Sequence, residues 1–415
     1  MECKTEKTLS GGEEGFPSLK MKSQNKIAIV VQRCGININA GAEVYALKLA
    51  EGLALKKQNI EILTSQSDDY ISWNNKLPTY EDCQIENNNF QIKRFPVQHD
   101  RQRVVFGVVK RFIFFTQKYI SIAYKLLSPL LDYIFLKSQG PWCPKLWEYL
   151  ENNAQSYSLI IVKSYLYAPN YYAIRKSHKK TKVLFIVTAH NEPEFNLNFV
   201  NKMIENSDTL AFVSIAEKNL CYTLKPFSQQ KPYIILPPGF NNEIPVQSDT
   251  DNRILHLSDK KFFTYIGRID KNKNVNFIFE NTPKNCLVVF AGELKIEFPK
   301  DERFVYLGRV SEREKFFLLE KSIALLMVSM REAYSIITAE AIKYKCLVLA
   351  LRGCEPIEEL IERYGGYLCT EENYSEVMLN LWNNPNYFDR KFIKSDLINI
   401  EKSYLHNADK IINLT

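Results

Sequence analysis

Ser329-Met-Arg-Glu332-Ala-Tyr334-Ser-Ile-Ile-Thr-Ala-Glu340-Ala341 follows the apolar run Ile323-Ala-Leu-Leu-Met-Val328. The run predicts a buried strand leading into a tight turn, and the residues after it predict a helix beginning near Tyr334. Glu332 then stands at the strand's carboxyl end, and Glu340 lies about one turn into the helix. In open α/β sheets ligands bind outside the carboxyl ends of the strands. A helix start at that edge also offers backbone N–H groups that have no intrahelical partner. Carboxylates that hold hydroxyls, beside N–H groups and cations that hold phosphates, suit a sugar diphosphate. Taken alone, two glutamates at this spacing are usually two solvated helix residues.

Upstream lies Tyr265-Ile-Gly267-Arg268-Ile-Asp270-Lys271-Asn272-Lys273-Asn274, again a strand running into a loop. Arg268 and Lys273 are placed to meet one anionic group, and Gly267 lets the backbone approach it closely. By itself this piece reads more readily as a basic surface turn. In this order and at this separation, the two pieces resemble the carboxyl-terminal domain of the GT-B, family 4-type retaining glycosyltransferases (group 1). That family carries Gly-Arg…Lys-(Gly/Asn) and then Glu-x7-Glu.

The likeness extends to the amino-terminal half. Val30-Val-Gln-Arg33-Cys-Gly35-Ile-Asn-Ile-Asn39-Ala40-Gly41-Ala42-Glu43 is similar to the family's first strand and Gly-Gly-Ala-Glu turn. An amphipathic helix follows, with Val44, Leu47, Leu49 and Leu53 among its apolar positions. Gly140-Pro141-Trp-Cys-Pro144 resembles a Gly-Pro-x-x-Pro element of relatives with that amino-terminal signature. His190, after Val183-Leu-Phe-Ile-Val-Thr-Ala189, matches the family's strand-end histidine, although a lone histidine after a strand is more often structural. The resemblance covers residues 26 to 415.

The resemblance implies an α/β fold of two Rossmann-like domains facing across a cleft, with the carboxyl-terminal helix crossing back onto the first. It implies a nucleotide-sugar site built from Gly41, Gly267, Arg268, Lys273, Glu332, Tyr334, Ser335, Ile336 and Glu340. Arg268 and Lys273 would stabilise the leaving diphosphate, Glu340 would take the ribose hydroxyls and Glu332 the donor sugar. His190 would face the transferred sugar from the first domain, and Gly41 would let the first helix approach the diphosphate and acceptor. In the family the anomeric configuration is retained, by a front-face attack that needs no side-chain base, no metal and no cofactor. Three positions depart from the usual pattern: Ala333 and Ser335 replace two common glycines, and Ala40 replaces the first glycine of Gly-Gly-Ala-Glu. A GT-B protein that binds a nucleotide sugar or a partner without turnover is the alternative.

Composition agrees. A chain of 415 residues is too long for one ordinary core. The expected division is a disordered tail over 1–24, an acceptor domain over 25–240, a donor domain over 241–395 and a closing helical segment over 396–415. Pro237 to Pro245 and the polar stretch to Lys260 read as the linker. At 46% hydrophobic and 24% charged the composition is globular, and a net charge of +7 fits nucleotide diphosphates or a lipid surface without indicating nucleic acid. Nine scattered cysteines without Cys-x-x-Cys argue for reduced thiols in the cytosol, against disulfides or zinc. Met1 to Gln24 has no apolar core for a signal peptide. A Gly-x-Gly-x-x-Gly fingerprint, a P-loop and a Gly-x-Ser-x-Gly elbow are all missing. The pair Asp68-Asp69 reads as a solvated turn.

Short β-rich runs separated by helical segments predict parallel sheets covered on both faces. The expected strands are 26–32, 60–64, 91–96, 159–163, 182–188, 209–214, 233–236, 262–268, 286–291, 304–307, 324–328 and 347–351. From Arg101 to Lys137 seven basic residues meet a single acid, Asp132, among many apolar ones. Arg111, Lys118 and Lys125 recur on one face of a helix expected to end around Pro129, with Phe114, Phe115, Ile122 and Ala123 on the remainder. That segment is either an interfacial helix docking on anionic lipid or a helix covering its own sheet with its basic side solvated. No uncharged run there is long enough to span a membrane. The partners to expect are a nucleotide-sugar donor and a glycan or lipid-linked acceptor, in cell-surface polysaccharide or glycolipid synthesis, at the cytoplasmic face of a membrane.

Overall fold

The computed structural model describes residues 26–38, 41–239, 252–384, 387–396, 398 and 403–415. The expected tail, Asn39, Ala40 and residues 240–251 of the expected linker lie outside these. The chain divides into two compact units. The first holds the residues up to Val213, Glu217–Gly239 and Tyr404–Thr415; the second holds Ser214–Ala216 and Phe240–Ser403.

In the first unit the strands are β1 Lys26–Arg33, β2 Asn59–Ser65, β3 Tyr80–Ile85, β4 Asn88–Phe95, β5 Tyr157–Lys163, β6 Lys182–Ile186, β7 Thr209–Phe212 and β8 Tyr233–Ile235. They form one sheet in the order β3-β4-β2-β1-β5-β6-β7-β8. Every pairing is parallel except β3 with β4. Ile27 to Val31 are fully buried, because a parallel strand covered on both faces needs an unbroken apolar run rather than an alternating one. β3 was not expected. It is an antiparallel edge strand with one buried residue, Cys83, so its sequence carries no apolar run to announce it.

The helices of this part are α1 Gly41–Leu55, α2 Arg103–Tyr119, α3 Ser121–Gln139, α4 Pro144–Asn153, α5 Ala168–Ser177, α6 Asn198–Glu205 and α7 Ile215–Leu224. The helix expected to stop near Pro129 does not. The break falls at Ile120, and Pro129 sits inside α3. An interior proline costs about 3 kcal/mol, but Leu131, Phe135 and Leu136 are buried beyond it, and a buried Leu or Phe is worth roughly 1.5–3 kcal/mol. Packing wins. Ile122 is exposed and lies in the first turn of α3 rather than continuing α2.

The second unit has a fully parallel sheet in the order β11-β10-β9-β12-β13-β14. Its strands are β9 Phe263–Ile266, β10 Val288–Ala291, β11 Phe304–Tyr306, β12 Leu325–Met327, β13 Val348–Leu351 and β14 Tyr367–Cys369. Its helices are α8 Asn252–Leu255, α9 Val275–Asn281, α10 Glu312–Lys321, α11 Ile336–Lys343, α12 Glu355–Tyr364 and α13 Tyr374–Asn383. The period of two divides the core: Val288 and Phe290 enter one apolar cluster, Val289 and Ala291 another on the opposite face. β14 was not expected either, being three residues long behind Gly365 and Gly366, both at positive φ.

A closing helix, Tyr404–Ile412, belongs to the first unit and packs on α1. Asn407 donates to the Pro237 carbonyl at 2.6 Å and Lys410 to that of Ile235 at 3.0 Å. A Cβ on Gly52 of α1 would meet the Tyr404 carbonyl oxygen at 2.8 Å, so glycine there sets how closely the two helices approach. Helix propensity favours Gly52→Ala by roughly 0.5–1 kcal/mol, but overpacking against backbone costs about 1–3 kcal/mol. We expect Gly52→Ala to lower the unfolding free energy in a denaturant titration. Gly107→Ala in α2, where nothing lies within 4 Å of the added Cβ, should leave it unchanged or raised.

Candidate nucleotide-sugar site

The two loops singled out in the sequence belong to adjacent strands. β9 and β12 pair in parallel, Leu325 opposite Thr264, so their carboxyl ends lie side by side. After β9 the chain turns through Gly267 and Arg268 to Asp270, makes a single 3₁₀ turn over Lys271–Lys273, and passes through Asn274 in the left-handed region into α9. Asp270 organises this loop. Its carboxylate accepts from the Arg268 guanidinium at 2.5 Å and from the Lys273 backbone N–H at 3.0 Å. Tyr265 donates its hydroxyl to the Arg268 carbonyl at 2.9 Å. Asn274 donates to the Val328 carbonyl at 3.2 Å and so fastens the β9 loop to the end of β12.

Lys273 reaches across that junction to Glu332, 2.5 Å from ammonium to carboxylate. Two of the predicted site residues, from loops far apart in sequence, are thus brought together. Arg268, on the same loop as Lys273, keeps 48% of its side chain exposed. Backbone approaches backbone closely here. A Cβ on Gly292, after β10, would lie 1.9 Å from the Gly267 carbonyl oxygen, and Gly292 has φ 139°. Gly267 itself has φ 154°. The packing requires glycine at 292, and the positive φ favours it at 267.

The helix after β12 begins at Ile336, two residues later than expected, because Ser335 is its cap. The Ser335 hydroxyl oxygen accepts from the Thr338 N–H at 3.4 Å and pairs with the Thr338 hydroxyl at 2.8 Å. Ala333, Tyr334 and Ser335 are buried in the turn, and Ile336 opens α11. Glu340 lies one turn in, held by Lys315 of α10 at 2.8 Å, and Lys315 also pairs with Glu312 at 2.7 Å. Burial pushes the Glu340 carboxyl up despite Lys315. The Lys315 ammonium, which burial alone would lower, is held above the usual lysine range by Glu340 and Glu312. Sequence reading missed Lys315. Its one local signal was the capping box Ser311…Glu314, which fixes the start of α10 and hence the face Lys315 occupies.

In the first unit His190 follows β6. The residue before it, Ala189, donates its backbone N–H to Glu217 at 2.7 Å, and the other oxygen of Glu217 accepts from the Val213 N–H at 2.6 Å. One buried carboxylate therefore fixes the carboxyl ends of β6 and β7, and with them the backbone that carries His190. Lys163 ends β5, fully enclosed, its ammonium 4.4 Å from the Tyr45 ring centre. Burial pushes Glu217 up to about 7 and Lys163 down to about 8, each opposed by attraction to the other. Arg33, at the end of β1, pairs with Glu43 in the first turn of α1 at 2.7 Å. Gly41 opens α1 with free space around its Cα. Of this buried charged set only Glu43 stood in a recognisable motif.

Asp69 caps its own turn, accepting from the Ile71 and Ser72 N–H groups at 2.9 Å each. Among the described residues no group of three or more His, Cys, Asp or Glu side chains is placed to hold a metal ion, and the eight described cysteines are buried thiols. A concavity of 430 Å³ beside Lys26, Asn59 and Glu61 opens at the amino ends of β1 and β2, the opposite edge from the one that carries Lys163 and His190.

Residues 247–387 match the family described as glycosyl transferases group 1. The match falls within the second unit. It contains the whole Gly267–Asn274 loop and both glutamates. No curated protein matches the sequence. Among solved structures the chain resembles the Anabaena protein HepE in complex with UDP-glucose, at a TM-score of 0.62 and 11% identity, over 94% of this chain and 100% of that one. Sucrose-phosphate synthase from Thermosynechococcus elongatus gives 0.61 and 12%, over 94% and 98%. The α,α-trehalose-phosphate synthase (UDP-forming) of Burkholderia xenovorans, in complex with glucose-6-phosphate, gives 0.59 and 12%, over 94% and 99%. These likenesses establish the GT-B fold.

The glycine junction behind Arg268 is directly testable. Gly292→Ala should cost at least about 1–3 kcal/mol in denaturant unfolding, whereas Gly41→Ala, with open space around it, should change stability by less than about 1 kcal/mol.

Proposed function

We propose that the protein is a family 4-type retaining glycosyltransferase that moves a hexosyl group from a nucleotide-diphosphate sugar to a hydroxyl acceptor. The observation that carries this is the meeting of Lys273 with Glu332, beside Arg268, in the segment that matches the group 1 glycosyl transferases. Breaking the glycosidic bond leaves growing negative charge on the diphosphate and positive charge on the sugar. Fixed cations at the diphosphate lower the barrier because they act more strongly on the transition state than on the ground state. Arg268 and Lys273 fill that role, and the carboxylates that hold them keep both cations in place before the donor arrives. Glu332 accepts from hydroxyls of the sugar, and Glu340, steadied by Lys315, from those of the ribose. Gly267, Tyr334, Ser335 and Ile336 bring backbone to the donor, Ile336 with the first N–H of α11. Gly41 does so at the head of α1.

His190 is assigned to the transferred sugar, on a backbone held rigid by Glu217. Attack from the leaving-group face, with a phosphate oxygen taking the acceptor proton, requires neither a side-chain base nor a metal or other cofactor. The complex of HepE with UDP-glucose makes a uridine diphosphate hexose the first donor to try. The acceptor is read as a growing polysaccharide or glycolipid, met by a peripheral enzyme at the cytoplasmic face of a membrane. A second reading, a GT-B protein that binds without turnover, is favoured by Ala333 and Ser335: both are buried where relatives carry glycine, and their side chains narrow the approach.

Binding to the native state must raise the melting temperature. A UDP-hexose should do so, and Arg268→Ala should abolish the shift. With an acceptor in hand, Arg268→Ala or Lys273→Ala should lower the rate of UDP release on the order of a hundredfold. A cooperative melt unmoved by UDP-, GDP-, ADP- and CMP-sugars alike would remove the transferase reading.

A further inference from the structure

A surface helix normally turns one apolar stripe to the core and a polar face to water. α2 and α3, which pack on each other, do not. Ile113 of α2 and Leu131, Phe135 and Leu136 of α3 are buried in the core of the first unit. The outward side of α2 is nevertheless Val104, Val108, Phe112, Phe115 and Tyr119, at helical spacing and all exposed, Val104 by 80%. That of α3 is Ile122, Leu126, Leu130 and Tyr133, with Ile122 at 75% and Leu126 at 77%. A contiguous apolar face of this extent marks a surface that is covered in use.

Its charges say by what. Arg103, Arg111 and Lys118 are exposed along α2, while Asp132, the single acid between Arg101 and Gln139, is buried. Lys110 is engaged by Glu194. Lys118 lies 5.0 Å over the Tyr119 ring, apolar stem along apolar surface and charge outward. A second copy of the same face would set cation against cation. An apolar surface whose unpaired charges are all positive complements acyl chains beneath anionic headgroups. No described helix is long and apolar enough to cross a membrane, so the surface lies along the interface.

We propose that the α2–α3 pair docks the protein on an anionic phospholipid bilayer, inserting Phe112, Phe115, Ile122 and Leu126 to shallow depth while Arg111 and Lys118 meet lipid phosphates. The proposal rests on the transferase reading only for the purpose of the docking, which holds the enzyme where lipid-linked acceptors are. Phe115 and Ile122 do not cover the sheet; they face outward with the cations.

The test is co-sedimentation of the full chain with vesicles of phosphatidylglycerol and phosphatidylcholine, and with phosphatidylcholine alone. Two variants accompany it, Phe112→Ser/Phe115→Ser/Leu126→Ser and Arg111→Gln/Lys118→Gln. All five positions are exposed, and unchanged melting temperatures confirm folding. Anionic vesicles should bind the wild type. The basic pair's removal should weaken partitioning about thirtyfold, and the apolar triple should weaken it more than about tenfold. Binding that either variant leaves unchanged, or no binding at all, overturns the proposal. So does a wild-type dimer, dissociated by the apolar triple, that ignores vesicles. UDP-hexose melting shifts measured in parallel separate the two readings: vesicle binding without a shift removes the transfer, and a shift without vesicle binding removes the docking.

Discussion

Lys273 and Glu332 can meet because β9 and β12 are neighbours in a parallel sheet. Parallel pairing puts the carboxyl ends of both strands at one edge, and the crossover between them is long enough to carry β10, β11 and α10 on the way. The closeness of Gly267 to Gly292 then sets how near that edge the β9 loop can lie. Asp270 holds Arg268 and the start of the 3₁₀ turn, and Asn274 ties the loop to Val328. Arg268, Lys273 and Glu332 are all positioned by this junction. A change at any of these anchors would move both cations together.

The first unit uses the same edge differently. Arg33, Lys163 and the backbone before His190 all lie at the carboxyl ends of its central strands, enclosed with Glu43 and Glu217. Enclosed charges are tolerated when they are paired and hydrogen-bonded, and an unpaired remnant is costly. Glu217 satisfies two backbone donors at once and has Lys163 as its counter-charge. Such a set resists local rearrangement of the backbone that carries His190.

Much of this was legible in the sequence. Strands with unbroken apolar runs, such as Ile27–Val31 and Leu159–Val162, announced themselves, and Glu332 and Glu340 were placed rightly after β12 and inside α11. What was not legible depended on distant partners. β3 is polar because it forms an edge, and its existence is decided by β4. The stop expected at Pro129 yielded to the burial of Phe135 and Leu136, which no local rule weighs. Lys315 and Glu340 meet only because the fold brings the start of α10 within reach of α11. Glu217 and Lys163 look like ordinary helix and strand-end charges until the sheet encloses them.

The central claim is that the loops after β9 and β12 act as one nucleotide-sugar site. A double-mutant cycle on the affinity for UDP-hexose, using Lys273→Ala, Glu332→Ala and the double variant, tests it most directly. If the two residues work as a unit, each single change weakens binding and the double deviates from additivity by about 0.5–3 kcal/mol. Donor affinity that neither substitution alters would contradict the account.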